Sequence, residues 1–161
     1  MSGTESGHTG DTGGAPRYLR PRRYDRVFNG AVASLARAGI SVWGSRILAV
    51  RGRLSGEWRT TPVNPLAFGG NRYLVSPRGH TQWVRNLRAA GGGELRLGRR
   101  AEHFTATELP DADKLPVLRE YLRRWRFEVG MFFQGVGPDA PDSRLAEIAR
   151  DHPVFLISAQ P

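Results

Sequence analysis

Two guanidiniums, three hydroxyls and a glycine fall within nine residues of Arg53-Leu54-Ser55-Gly56-Glu57-Trp58-Arg59-Thr60-Thr61. Such a loop offers backbone N–H groups, hydroxyl donors and Arg forks to phosphate oxygens. Each charge-assisted contact is worth about 1.5–3 kcal/mol, so three or four would hold a phosphorylated ligand. A polar hairpin loop with solvated arginines has the same composition, and composition alone leaves both readings open. A second cluster runs Ser76-Pro77-Arg78-Gly79-His80-Thr81-Gln82-Trp83-Val84-Arg85-Asn86-Leu87. It leaves a strand through a Pro/Gly turn and enters a short helix, whose N-terminus attracts anions. Trp83 and Asn86 are three apart and share a face, pairing an aromatic plate with a hydrogen-bonding amide. The plainer alternative makes Trp83 a core anchor and Asn86 a surface residue.

Other chemistry is thinly represented. The chain has no cysteine, which excludes disulfides, thiolate metal sites and a Cys nucleophile together. His8, His80, His103 and His152 are scattered, with no triad or metal cluster, so no catalytic residue is identifiable and no metal is expected. His80, inside the second cluster, is the one histidine with a candidate role. His103 reads as a packed or surface strand residue, and His8 and His152 are expected to have no role. The apolar group Trp125, Phe127, Met131, Phe132 and Phe133 is a candidate substrate-pocket lining, although aromatic residues at this density also build cores.

These clusters need elements to position them. Residues 1–16 carry five glycines, no aromatic residue and no apolar periodicity, the signature of a disordered tail. Residues 17–161 are expected to form a single domain. Val27, Phe28, Ala31, Leu35 and Ala38 give helical spacing from Tyr24 to Ala38. Strands are expected at Arg46–Arg51, Arg59–Phe68, Arg72–Val75, Glu94–Leu97, Arg100–Thr107 and Val154–Ile157, with Pro62 and Pro65 placing the second at an edge or bulge. Helices are expected at Gln82–Ala89, Asp111–Trp125 and Ser143–Arg150. Five or so strands with helices between and after them read as α+β, the strands curled into a small barrel.

Charge bounds the partners. The net charge is +9, and residues 1–100 hold 17 of the 24 basic residues against 5 of the 15 acidic ones. The positive field belongs to the first two-thirds of the chain and should face a polyanion: a phosphorylated cofactor, an anionic membrane or nucleic acid. No apolar stretch approaches the roughly 20 residues needed to span a bilayer, and no secretory leader is evident, so a cytoplasmic protein is the expectation.

In order, a strand, Gly52-Arg53-x-Ser55-Gly56-x-x-Arg59-Thr60-Thr61-Pro62-Val63, a hairpin to Tyr73-Leu74-Val75-Ser76, then Gly79 and Trp83-x-x-Asn86-Leu87-Arg88 resembles the deazaflavin-dependent nitroreductase family. The resemblance covers roughly residues 24–158. It implies a split β-barrel, related to the FMN-binding barrel, with an N-terminal helix and flanking helices. It also implies reduced coenzyme F420 as hydride donor to an electron-poor small-molecule acceptor such as a nitroaromatic, quinone or enone. On matching positions it implies that Arg53, Ser55, Gly56 and Arg59 contact the cofactor's phosphate and side chain. Thr60, Thr61, Pro62 and Val63 would run beside the deazaflavin ring. Ser76, Arg78, Gly79, Trp83, Asn86 and Leu87 would close over the cofactor. Leu54 stands where many relatives carry a basic residue, and the stretch from Ser76 to Trp83 is shorter than in many of them.

Three other readings compete. FMN in the same fold is the cofactor alternative. A basic module without catalysis could bind nucleic acid, the weaker idea, or dock on anionic lipid through Arg17–Arg26, and such peripheral contact at the inner membrane face is also compatible with an enzyme. No nucleic acid is expected, because the arginines are dispersed through strands. A carrier that keeps the fold and loses the redox role is the third.

Overall fold

The computed structural model describes residues 44–161. The helix expected at Tyr24–Ala38, the basic run Arg17–Arg26 and the tail 1–16 lie outside them. Seven strands form one antiparallel sheet: β1 (Arg46–Arg51), β2 (Trp58–Val63), β3 (Leu66–Phe68), β4 (Asn71–Val75), β5 (Gly92–Leu97), β6 (Arg100–Glu108) and β7 (Val154–Ala159). Helix α1 (Gln82–Ala90) lies between β4 and β5; α2 (Leu115–Val129) and α3 (Asp142–Ala149) lie between β6 and β7. The strand order is β2-β1-β5-β6-β7-β4-β3.

That order dictates the shape. A flat seven-stranded sheet would hold its two edge strands about 29 Å apart. Yet β2 and β3 are those edges, and only Asn64-Pro65 joins them, a link whose Cα span is at most about 11 Å. The sheet must therefore curl until its edges nearly meet, a barrel left open along one seam. The expectation of one strand over Arg59–Phe68 is corrected here. Pro65 offers no N–H to a ladder and holds Asn64 extended. The side chain of Asn64 accepts a hydrogen bond from Ser45 Oγ at 2.9 Å, and the chain changes edge at that point.

Among the described residues the buried side chains form two cores. Leu48, Val50, Leu74, Leu95, Phe104, Phe155 and Ile157 point inside the barrel, and Val84 and Leu87 of α1 close one end. Helix α1 stops because Gly91 takes a left-handed φ of 71° and its N–H donates to the Leu87 carbonyl, the geometry that favours glycine after a helix. The second core lies between α2, α3 and the sheet. Leu118, Tyr121, Leu122, Trp125, Phe133, Leu145 and Ile148 pack there against Leu66, Val75 and Val154. The single helix expected over Asp111–Trp125 is a short 3-10 turn, Asp111–Asp113, followed by α2 with Pro116 in its first turn, where a missing N–H costs nothing.

His152, read from sequence as without a role, is buried in this second core. Its ring stacks on Phe133 at 4.1 Å, and Nδ1 lies 3.4 Å from the Ser76 carbonyl. Burial pushes its pKa below the ordinary 6.5, against weaker opposing pulls from the Ser76 carbonyl and Asp151. The unfolded chain therefore takes up this proton near pH 6.5 and the folded chain only at lower pH. Stability from this site is present above about pH 6.5 and is lost as pH falls below it. Thermal unfolding followed between pH 7.5 and 5 should show this loss, and His152→Gln should flatten that part of the profile. Equal slopes in both proteins would remove His152 as its source.

Candidate cofactor cleft

A cleft of about 770 Å³ opens beside the seam, within the range of small-molecule and cofactor sites, about 300–1,000 Å³. One wall is the β1–β2 loop and strand β2; the other is the turn after β4 with the start of α1. The two segments share the cleft because β2 and β4 are brought together by the curl of the sheet.

The β1–β2 loop is closed by its own backbone. Gly52 N–H donates to the Glu57 carbonyl and Gly56 N–H to the Gly52 carbonyl, each at 2.8 Å, and Glu57 N–H donates to Ser55 Oγ at 3.2 Å. Gly56 turns the chain at a φ of 71°. Opposite, the Ser76 hydroxyl donates to the Gly79 carbonyl at 2.6 Å, and Gly79 adopts a φ of 83° with the Asp151 carbonyl 3.1 Å from where a Cβ would lie. The Ser76 hydroxyl is thus engaged in building its turn.

Loop and helix are tied across the cleft. Arg53 Nη1 donates to Gln82 Oε1 and to Asn86 Oδ1, both at 2.9 Å, and Arg53 N–H donates to the same Asn86 oxygen at 3.2 Å. Asn86, buried, therefore spends its carbonyl oxygen on Arg53. Arg59 and Arg78 line the cleft and make no ion pair among the described residues; the Arg78 guanidinium lies 5.0 Å from the centre of the Phe132 ring. Trp83 faces the cleft while packing on Phe155 at 6.0 Å.

Of the residues expected from sequence, Arg53, Ser55, Arg59, Thr60, Thr61, Pro62, Val63, Ser76, Arg78, Trp83 and Asn86 line this one cleft. Gly56 and Gly79 shape its two turns from behind, and Leu87 lies in the barrel core. His80 does not line it. Its Nδ1 accepts from Arg88 Nη2 and its Nε2 faces the Arg150 carbonyl, both at 3.1 Å; Arg88 also pairs with Glu108 and, mainly by that hydrogen bond, lowers the Glu108 pKa. His80 is a brace between helix and loop.

The expected aromatic pocket is dispersed. Trp125 and Phe133 are buried in the second core, whereas Phe127 and Met131 are 90% and 79% exposed, and Phe132 meets the cleft only through Arg78. Trp125 and Phe133 fall on the buried stripe of α2 and the turn after it, whereas Phe127 and Met131 fall off it. Tyr121, not singled out from sequence, lines the cleft at its inner end with Val63 and Val75. The available signal was a polar handle on the apolar face of α2, beside Leu118 and Leu122. Leu54 lines the rim and is 91% exposed. Among the described residues no cluster could hold a metal ion, and no helix is long and apolar enough to cross a membrane.

A curled antiparallel sheet, open at one seam and flanked by helices, is the split β-barrel. The sequence model of the F420H(2)-dependent quinone reductases matches residues 22–129, more than half of the chain, and the protein belongs to that family. Coenzyme F420 is thereby its cofactor and oxidoreduction its chemistry. Solved structures share the fold. An F420-H2 dependent reductase, FDR-A, superposes with a TM-score of 0.50 at 16% identity, over 71% of this chain and 94% of that one. Atu2129 from Agrobacterium tumefaciens, of unknown function, gives 0.50 at 14% identity, over 91% of this chain and 60% of that one. HutZ, the heme storage protein of Vibrio cholerae, gives 0.50 at 9% identity, over 89% and 92%. At these identities the likeness is one of fold alone. No curated protein sequence matches the chain.

Proposed function

We propose that this protein holds reduced F420 in the cleft between β2 and α1 and passes its hydride to an electron-poor carbonyl or nitro acceptor, a quinone first, with nitroaromatics and enones as further candidates. The observation that carries this reading is the convergence of two distant segments, Arg53–Val63 and Ser76–Asn86, on one cleft whose loop end is cationic.

When bound, the cofactor supplies the hydride. The chain's task is to bind, orient and exclude water. Arg59 and Arg78, unpaired among the described residues, are suited to the phosphate and the anionic side chain. Arg53, held by Gln82 and Asn86, adds a fixed charge at the loop. Thr60 and Thr61 offer hydroxyls along β2, with Pro62, Val63 and Trp83 giving flat apolar surface to a ring. In the same reading the acceptor enters at the inner end, near Val63, Val75 and Tyr121, and not among Phe127 and Met131.

Titration of the purified protein with F420 and separately with FMN, read by absorbance and fluorescence, tests the cofactor site, and turnover of a benzoquinone, a nitroaromatic and an enone ranks the acceptors. Arg59→Ala should weaken F420 binding about tenfold, about 1.4 kcal/mol, with the thermal midpoint unchanged. Unaltered affinity would remove Arg59 from the phosphate site.

A further inference from the structure

Tyr121 lines the cleft and combines near-complete burial with an unengaged donor among the described residues. It is 3% exposed and sits on the inner face of α2. Its ring is fixed by Trp125 at 5.0 Å and Phe133 at 6.2 Å, both tilted contacts within the second core. The ring therefore cannot swing away without emptying part of that core. Its hydroxyl has no hydrogen-bond partner among the described residues. The sealed and unpartnered side-chain polar atoms there are Thr81 Oγ1 and His152 Nε2, and the Tyr121 oxygen is not among them. A buried tyrosine ordinarily satisfies its hydroxyl. Here the hydroxyl belongs to a residue at the inner wall of a cleft, and the cleft is where a partner can come from.

We propose that Tyr121 Oη donates a hydrogen bond to the carbonyl oxygen of the acceptor and stabilises the negative charge that hydride addition places on it. The inference rests on the reductase reading above and adds to it a catalytic residue and the acceptor's orientation. Burial, with a smaller push from Glu128, raises the Tyr121 pKa, so the phenol stays neutral and a donor throughout the physiological range. It is a weaker acid than the hydroquinone product, so it keeps its proton. The hydride from the reduced cofactor bonds to a ring carbon conjugated with the carbonyl. The displaced π electrons move through the conjugated system onto the carbonyl oxygen, solvent protonates that oxygen, and the ring carbon passes one proton through solvent to the second oxygen to give the hydroquinone. A fixed donor aimed where charge develops accelerates such a step without reorganisation. It also selects acceptors with a carbonyl or nitro oxygen within its reach.

Tyr121→Phe removes only the oxygen and keeps the ring contacts. With a quinone acceptor, kcat should fall about tenfold, the net worth of one hydrogen bond, while the dissociation constant for F420 stays unchanged. A second readout needs no turnover. The infrared carbonyl stretch of a ¹³C-labelled naphthoquinone bound to the protein without reductant should lie at lower frequency than in dry hydrocarbon, and Tyr121→Phe should return it. An unshifted stretch in the wild-type protein, or a kcat shared by both proteins, overturns the proposal even if the variant folds poorly. Loss of F420 affinity in a folded Tyr121→Phe would overturn it too, by making the residue part of the cofactor site. Failure of the reductase reading itself looks different, since the wild-type protein would then neither bind F420 nor turn over a quinone.

Discussion

Asn86→Ala is expected to raise the dissociation constant for F420 about 30-fold, about 2 kcal/mol, although the Asn86 carbonyl oxygen is directed at the protein. The amide accepts from both the backbone N–H and the guanidinium of Arg53, and its removal frees the loop that carries Arg53, Ser55 and Gly56. The affinity lost is then that of a loop which must be ordered on binding. Such an indirect role has a signature in a double-mutant cycle. If Asn86 works through Arg53, the double variant should lose less affinity than the two single losses summed, because Arg53→Ala already removes the guanidinium bond and leaves only the backbone N–H bond to Asn86. Fully additive losses would instead place Asn86 in direct contact with the cofactor.

The second large effect is on stability. Gly93→Ala should lower the thermal midpoint by about 6–12 °C, corresponding to about 3 kcal/mol in a chain of this size. A Cβ at Gly93 would lie 2.5 Å from the Ala49 carbonyl oxygen, a backbone atom of the neighbouring strand, and 3.3 Å from Val50 Cγ2. Relief requires β5 to move away from β1, to which it is hydrogen-bonded through Ala49 and Glu94. Gly135→Ala is a useful contrast. Unlike Gly93 it has a positive φ, 76°, and nothing lies within 4 Å of the added carbon, so that variant measures backbone strain alone and should cost about 1 kcal/mol. A midpoint in Gly93→Ala no lower than in Gly135→Ala would show that the sheet absorbs the clash.

The sequence of Gly91-Gly92-Gly93 illustrates what was legible and what was not. That a helix ends there follows from glycine punctuation. That the first glycine serves as a left-handed cap and the next two as close-approach positions follows only from the neighbours, Phe104 and Ala49, supplied by other strands. The two segments that line the cleft could be singled out because each carries its polar and cationic residues within a dozen consecutive positions. The break at Asn64-Pro65 was not, since strand pattern continues on both sides and the choice of opposite edges is made by β1 and β4. Asn86 could be read as facing a ligand because its engagement with Arg53 spans 33 residues. Phe127 and Met131 are left exposed for a local reason. Buried Leu122, Trp125, Val129 and Phe133 recur at steps of three and four, and the other two fall off that stripe. His152 was dismissed because nothing near it in sequence announces the Phe133 ring or the Ser76 turn.

The seam between β2 and β3 has a mechanical consequence. Neighbouring strands in the sheet are joined by ladders of backbone hydrogen bonds, but these two edges share no ladder and are linked along the chain by Asn64-Pro65. A small change in the gap between them stretches no ladder between the two edges. The wall of the cleft formed by β2 is therefore the compliant part of an otherwise stiff shell. In the proposed function, acceptors of different breadth would be admitted by a slight spreading of that wall, while the tie between Arg53 and Asn86 holds the loop end of the cleft.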